Sequence, residues 1–172
     1  MTSLIRRARA AEAQVLREIE RLAGERFRQV GLPGVADDEP LSVEVLTSYA
    51  ADGRSWVAVD DGDLPIGYVL VDTVDDCAHI EQLSVRPDHQ ETGVGRALVE
   101  RVGAWARDRE LWAITLTTFK EVPWNAPLYR HLGFRELSEE DLGPQLREVR
   151  EREAAHGLDP AKRVCMRWKL SS

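Results

Sequence analysis

The chain has 172 residues, a formal net charge of −7 and 43% apolar residues. That length suits a single domain over residues 1–172 with its own core, and the acidic balance argues against nucleic-acid binding, which needs a basic surface to exchange for counterions. Two cysteines without CxxC spacing make neither a disulfide framework nor a zinc site.

The N-terminus, MTSLIRRARAAEAQ, lacks the apolar core of a signal peptide, and no run of about 18 apolar residues suggests a membrane span. The expectation is therefore a cytoplasmic protein with reduced thiols. Leu4 to Arg9 reads as a short first strand. From about Ala11 the spacing turns helical, with Val15, Ile19, Leu22 and Phe27 on one face, and Gly31, Pro33 and Gly34 end the segment. VADDEP (35 to 40) is expected as an acidic loop. Ser42 is a plausible N-cap for a helix with Val45, Leu46 and Tyr49 as its stripe, closing at Gly53.

Three strands with short polar turns follow: SWVAVD (55 to 60), PIGYVLVDTV (65 to 74) and CAHIEQLSV (77 to 85). They predict an antiparallel meander. In the third, apolar residues begin on even numbers (Ala78, Ile80) and finish on odd ones (Leu83, Val85). Side chains alternate with period 2, so either an extra residue near Glu81-Gln82 resets the phase as a β-bulge, or the strand is buried on both faces. A helix over 93–108 carries Val94, Leu98, Val102 and Trp105 at helical spacing, and LWAITLTTF (111 to 119) is the next strand. Strand, helix, strand in that order suggests a crossover to a parallel neighbour. Asn125 to His131 fits a short helix stopped by Gly133, FREL a strand, Pro144 to His156 a charged helix, and RVCMRWKL an alternating last strand. The tryptophans of the strands and of helix 93–108 are expected in the core.

The stretch QETGVGRAL leaves a strand, places two glycines one residue apart and starts a helix at once. Glycine early in a helix costs stability unless something approaches the backbone closely, and a helix start offers unpaired N–H groups and the positive end of a dipole. An anion is the expected visitor, held by the amides of Thr92 through Arg96, with Gly93 and Gly95 leaving room and Arg96 adding charge. A P-loop needs a Gly-Lys pair that this chain lacks. A dinucleotide fingerprint needs a third glycine where Leu98 stands.

Gln90-Glu91-Thr92-Gly93-Val94-Gly95 instead resembles the acetyl-CoA pyrophosphate loop of the GNAT superfamily of N-acetyltransferases. HIEQLSVRPDHQ is similar to that family's fourth strand and its exit. WNAPLYRHLGFREL is similar to its second signature, an Asn and a Tyr on a short helix before Leu-Gly-Phe. The resemblance covers nearly the whole chain. It implies an α/β fold with a mixed, mostly antiparallel central sheet, flanking helices, and a bulged strand 78–85 splayed from 112–119. Acetyl-CoA is the implied co-substrate, without a metal, its pantothenate arm pairing with the backbones of Leu83 and Val85 and held across by Asn125. Family members often carry Arg or Lys at the positions of Glu91 and Thr92, so this loop relies more on backbone N–H groups.

The implied reaction is acetyl transfer to a primary amine of a small molecule or peptide by direct attack in a ternary complex. A free alkylamine is mostly protonated at pH 7, so a base is needed. Glu81, at the expected bulge, is the choice, and a solvent-facing strand glutamate is the plain alternative. His79, two residues earlier, is the alternate base. Tyr129 occupies the family's tyrosine position and is the expected proton donor to the departing thiolate, unless it only packs on the Phe134 strand. Trp124 is a candidate for the acceptor pocket. Asp37, Asp38 and Glu39 form an acidic patch that would favour a cationic acceptor, or a plain solvated loop. A non-catalytic acyl-CoA sensor, a succinyl donor and a homodimer are left open by the sequence.

Overall fold

The computed structural model describes residues 4–90 and 92–171. The strands are β1 (Leu4–Arg7), β2 (Ser55–Val59), β3 (Pro65–Val74), β4 (Cys77–Val85), β5 (Ala113–Phe119), β6 (Arg135–Glu136) and β7 (Arg163–Lys169). The helices are α1 (Ala13–Gly24), α2 (Pro33–Ala36), α3 (Val43–Ala51), α4 (Val94–Asp108), α5 (Ala126–Leu132) and α6 (Pro144–Ala155). The seven strands form one sheet in the order β1-β2-β3-β4-β5-β7-β6. The expected mixed, mostly antiparallel sheet is present: β1–β2, β2–β3, β5–β7 and β6–β7 run antiparallel, whereas β4 and β5 run parallel at Ala78↔Ile114 and His79↔Thr115. The parallel pair follows from the sequence, because α4 carries the chain from one strand to the next.

The chain divides into two compact units, Met1–Val71 with Glu81–Arg101 and Asp72–Ile80 with Val102–Ser172. In the first, Ala13, Leu16 and Ile19 of α1 and Leu46 of α3 pack with Val57, Val59, Tyr68 and Leu70. The buried face of α1 thus falls one position from the Val15 register expected, with Val15 only partly buried. Each large side chain so removed from water contributes roughly 1.5–3 kcal/mol. The Ser42 hydroxyl accepts from the Val45 amide (3.2 Å), which fixes where α3 starts. The expected acidic loop is partly helical, since Pro33 opens the short turn of α2.

Gly67 lies inside β3 for a steric reason. A Cβ there would meet the Ser84 carbonyl oxygen at 3.1 Å and Val94 Cγ1 at 3.2 Å. Its absence lets the first turn of α4 settle onto β3 beside the end of β4.

In the second unit, Leu146 and Val149 of α6 pack with Val74, Leu142 and Cys165. That is why Cys165 is buried although β7 alternates: α6 covers the face that the pattern alone leaves to solvent. Trp112 departs from the expected core role. It is 44% exposed, with the Arg167 guanidinium 4.6 Å from its ring centroid.

Helix α6 begins at a residue with no side chain to cap it, Gly143. The cap comes from far away in sequence. Asp75, in the β3–β4 turn at φ +50°, accepts from the amides of Gln145 (3.0 Å) and Leu146 (2.9 Å). Gln145 Oε1 in return accepts from the Asp75 amide at 2.7 Å. A Cβ on Gly143 would collide with that carboxylate. Asp75→Ala is expected to cost about 1–2 kcal/mol, read as a Tm lowered by several degrees, with Asp75→Asn recovering part. An unchanged melt would mean that the cap is dispensable.

Candidate active site

The glycine loop is built in the first unit by the exit of β4. The Arg86 amide donates to the Ile66 carbonyl (2.8 Å), which ends the strand against β3. Pro87–His89 form a single 3-10 turn, and Gln90 is extended at φ −70°, ψ 153°. Two side chains pin the loop to its own backbone: Gln90 Nε2 donates to the Val85 carbonyl (3.0 Å), and the Thr92 hydroxyl donates to the His89 carbonyl. Gly93 takes φ +87°, a conformation that a side chain disfavours, and helix α4 starts at Val94.

The first helical bond at this end runs from the Ala97 amide to the Gly93 carbonyl (3.0 Å). The amides of Gly93 through Arg96 precede it and are the four that a helix start leaves without an intrahelical partner, and the Thr92 amide stands just before them. Gly95 has no positive φ, and a Cβ built there meets nothing within 4 Å. The fold itself therefore does not require glycine at 95. Open space at that Cβ position, at the positive end of a 15-residue helix, leaves room for a bound diphosphate. Arg96 is exposed beside it. Glu91, named from sequence as part of this loop, lies outside the described residues.

Strand β4 changes character half-way. Cys77 through Ile80 are buried and pair with β5 at Ala78 and His79, and exposure begins at Glu81. Leu83 and Val85 are half-buried, and Gln82 Nε2 donates to Ser84 Oγ (2.8 Å). Beneath them lies a polar pair that sequence reading missed. The Tyr68 hydroxyl donates to Glu20 Oε1 (3.0 Å), and the Leu41 amide donates to the same carboxylate (3.2 Å). Burial pushes the Glu20 carboxyl above its usual range and the Tyr68 hydroxyl far above its own. An alternating pattern cannot flag such a pair, because Tyr68 reads as an apolar strand residue and Glu20 as a surface position.

His79, the alternate base, is removed by the structure. It is 2% exposed, its Nδ1 lies 2.9 Å from Thr115 Oγ1, and burial lowers its pKa from 6.5 to about 4. It is neutral at pH 7, and no acceptor amine can reach it. Because the folded pKa lies below the unfolded one, the unfolded chain binds more protons between them, so stability is lost as pH falls from 6.5 toward 4. The expected loss from this group between pH 7 and pH 5 is about 2 kcal/mol. His79→Asn is expected to flatten that part of the profile, measured by urea melts at the two pH values. An equal slope in both proteins would contradict it.

In the second unit, Asn125 stands at the start of α5, with Oδ1 accepting from the Phe119 amide (3.4 Å) at the end of β5. One turn on, Tyr129 is 9% exposed with its ring edge-on to Phe134, centroids 5.6 Å apart. The helix closes at Gly133, φ +118°. Burial raises the Tyr129 hydroxyl above its usual range, so it keeps its proton at neutral pH and can only donate or accept as a neutral phenol. The packing on Phe134 expected as the plain alternative is therefore present, and it is compatible with a donor role.

The acidic patch is less bare than the sequence suggests. Asp37 is paired with Arg28, and Glu39 lies 3.5 Å from Arg17. Asp37, Glu39 and Arg17, with Glu18, Arg21 and Asp38, line an open groove of about 440 Å³ along α1. No group of three or more His, Cys, Asp and Glu among the described residues could hold a metal.

Residues 16–134 match the model of the acetyltransferase (GNAT) family. The chain belongs to that family. Among curated relatives, peptidyl-lysine N-acetyltransferase YjaB of Escherichia coli is 27% identical over 92 residues, covering 54% of this chain and 56% of the relative. The chain thus spans about half the length of the curated relatives that it matches. Among solved structures, the ribosomal-protein-S18-alanine N-acetyltransferase from E. coli superposes with a TM-score of 0.67 at 18% identity, covering 99% of this chain and 96% of that one. PaiA N-acetyltransferase from Thermoplasma acidophilum, in complex with coenzyme A, gives 0.70 at 14% identity over 98% and 99%. At these identities the likeness establishes the fold, and no helix among the described residues is long and apolar enough to cross a membrane.

Proposed function

We propose that the protein is an acetyl-CoA-dependent N-acetyltransferase. The observation that carries this reading is the start of α4, where neither a positive φ nor a Cβ contact calls for glycine at 95. The family match, which runs through residues of both units, supports one acetyltransferase domain over 1–172. Acetyl-CoA would supply the activated acyl group as a thioester. The amides of Thr92 through Arg96 hold the diphosphate, with Gln90 and Arg96 as the neighbouring side chains, and the backbones of Leu83 and Val85 pair with the pantothenate arm. Asn125 is assigned to the same cofactor by its place in the family signature.

Glu81 takes the proton of the attacking amine, directly or through water, since only a neutral amine is a nucleophile. Its exposure on β4 leaves it open to solvent and substrate. Tyr129 is assigned as the hydrogen-bond donor to the sulfur as the C–S bond breaks: burial keeps its hydroxyl a neutral phenol that steadies the developing thiolate. The acceptor class follows from YjaB, whose name makes it a peptidyl-lysine N-acetyltransferase: a lysine side chain in a peptide is the first acceptor to test. A cationic acceptor suits the groove along α1, where Glu18, Asp38 and Glu39 lie among the arginines. Both thiols are free and buried, which suits a cytoplasmic setting.

The test is a panel of lysine peptides, free α-amines and polyamines with acetyl-CoA, read as thiol release, with mass spectrometry of the products. A product acetylated on nitrogen is expected. CoA binding without turnover of any amine would instead assign the chain to acyl-CoA sensing.

A further inference from the structure

Gln90 is held at both ends of its carboxamide. Its Nε2 donates to the Val85 carbonyl (3.0 Å), and its Oε1 accepts from an Arg26 guanidinium N–H. Arg26 belongs to the 3-10 run Glu25–Val30 that follows α1, 64 positions earlier in the chain. The three groups form a line of hydrogen bonds with one polarity: cation to amide oxygen, amide hydrogen to strand carbonyl. A cation at the head of such a line polarises the amide and strengthens the next bond.

The line has two consequences for the loop. It ties the end of β4 to the residue that opens the turn, so that Gln90 keeps the extended backbone from which Thr92 and Gly93 depart. It also brings a permanent positive charge to the loop through a half-buried side chain. The loop's own Thr92 is neutral and Arg86 is engaged by Asp88 (3.2 Å). A diphosphate bound at the start of α4 would feel the fixed charge of Arg26, whose fork geometry a lysine cannot reproduce.

We propose that Arg26 is a positioning residue for the cofactor, acting through Gln90 to set the loop and its charge for the diphosphate. This rests on the assignment of that loop to acetyl-CoA. The test is equilibrium binding of CoA and dephospho-CoA to the full chain and to Arg26→Ala, Arg26→Lys, Gln90→Leu and the Arg26→Ala/Gln90→Leu double variant. Steady-state kinetics and thermal melts accompany it. Arg26→Ala is expected to weaken both ligands alike, by about 10-fold. The KM for acetyl-CoA should rise with kcat and Tm nearly unchanged, and Arg26→Lys should restore only part. The double variant should lose little more than either single one, because the two side chains act as a unit.

Unchanged affinity in Arg26→Ala overturns the proposal, as do additive losses in the double variant. A loss for CoA but none for dephospho-CoA also overturns it, by moving Arg26 to the ribose phosphate. Should Arg26→Ala not fold, Arg26→Lys and Gln90→Leu carry the same comparison. Wild-type protein that binds no CoA overturns the assignment of the loop itself, an outcome distinct from wild-type binding with Arg26 indifferent.

Discussion

Gly95→Leu is expected to leave the free protein as stable as before, within about 0.5 kcal/mol, and to weaken CoA binding by about 100-fold or more, about 2.7 kcal/mol. The two effects separate because they have different causes. The backbone at 95 is ordinary helix, and a Cβ placed there meets no heavy atom within 4 Å. Leucine is moreover the better helix former. What the side chain meets is the space above the first-turn amides, which the diphosphate needs. Gly93→Ala differs in the free protein, which should itself lose about 1 kcal/mol because φ +87° strains any residue with a Cβ. CoA titrations and melts of the same preparations check both. A Gly95→Leu protein that binds CoA like the wild type would remove the ligand explanation for the glycine.

The second large effect is expected at Glu81. Glu81→Gln keeps the size and hydrogen-bonding shape of the side chain but cannot take a proton. The rate at pH 7 with a lysine peptide should fall by about 10²–10³-fold, with KM for acetyl-CoA little changed. As pH rises, more of the amine is neutral without help, so the variant should recover part of the rate while the wild type levels off. A variant whose pH–rate profile parallels that of the wild type would falsify the base role, leaving Glu81 as an exposed strand glutamate.

What the sequence made legible was set by local rules. The Ser42 cap, the bounds of β3 and β4, the Val94–Leu98–Val102–Trp105 stripe of α4 and the glycine loop depend on residues a few positions apart, and all appear in the structure where expected. The features that escaped are those joined across long stretches of chain. Asp75 caps a helix 70 residues away, Arg26 reaches Gln90, and Glu20 meets Tyr68. In each case one partner reads as a plain turn or surface residue. Gly67 is an intermediate case. An isolated glycine inside PIGYVLV signals close backbone approach, but only the fold says that α4 is what approaches. Trp112 shows the reverse failure: its strand position suggested the core, but a neighbouring arginine lets it stay half in water.

The most direct measurement is a 1H–15N NMR titration of the protein with CoA. The account predicts saturable binding with its largest shifts at the amides of Thr92, Gly93, Val94, Gly95 and Arg96. Binding that leaves these amides unmoved, or no binding at millimolar CoA, would contradict it.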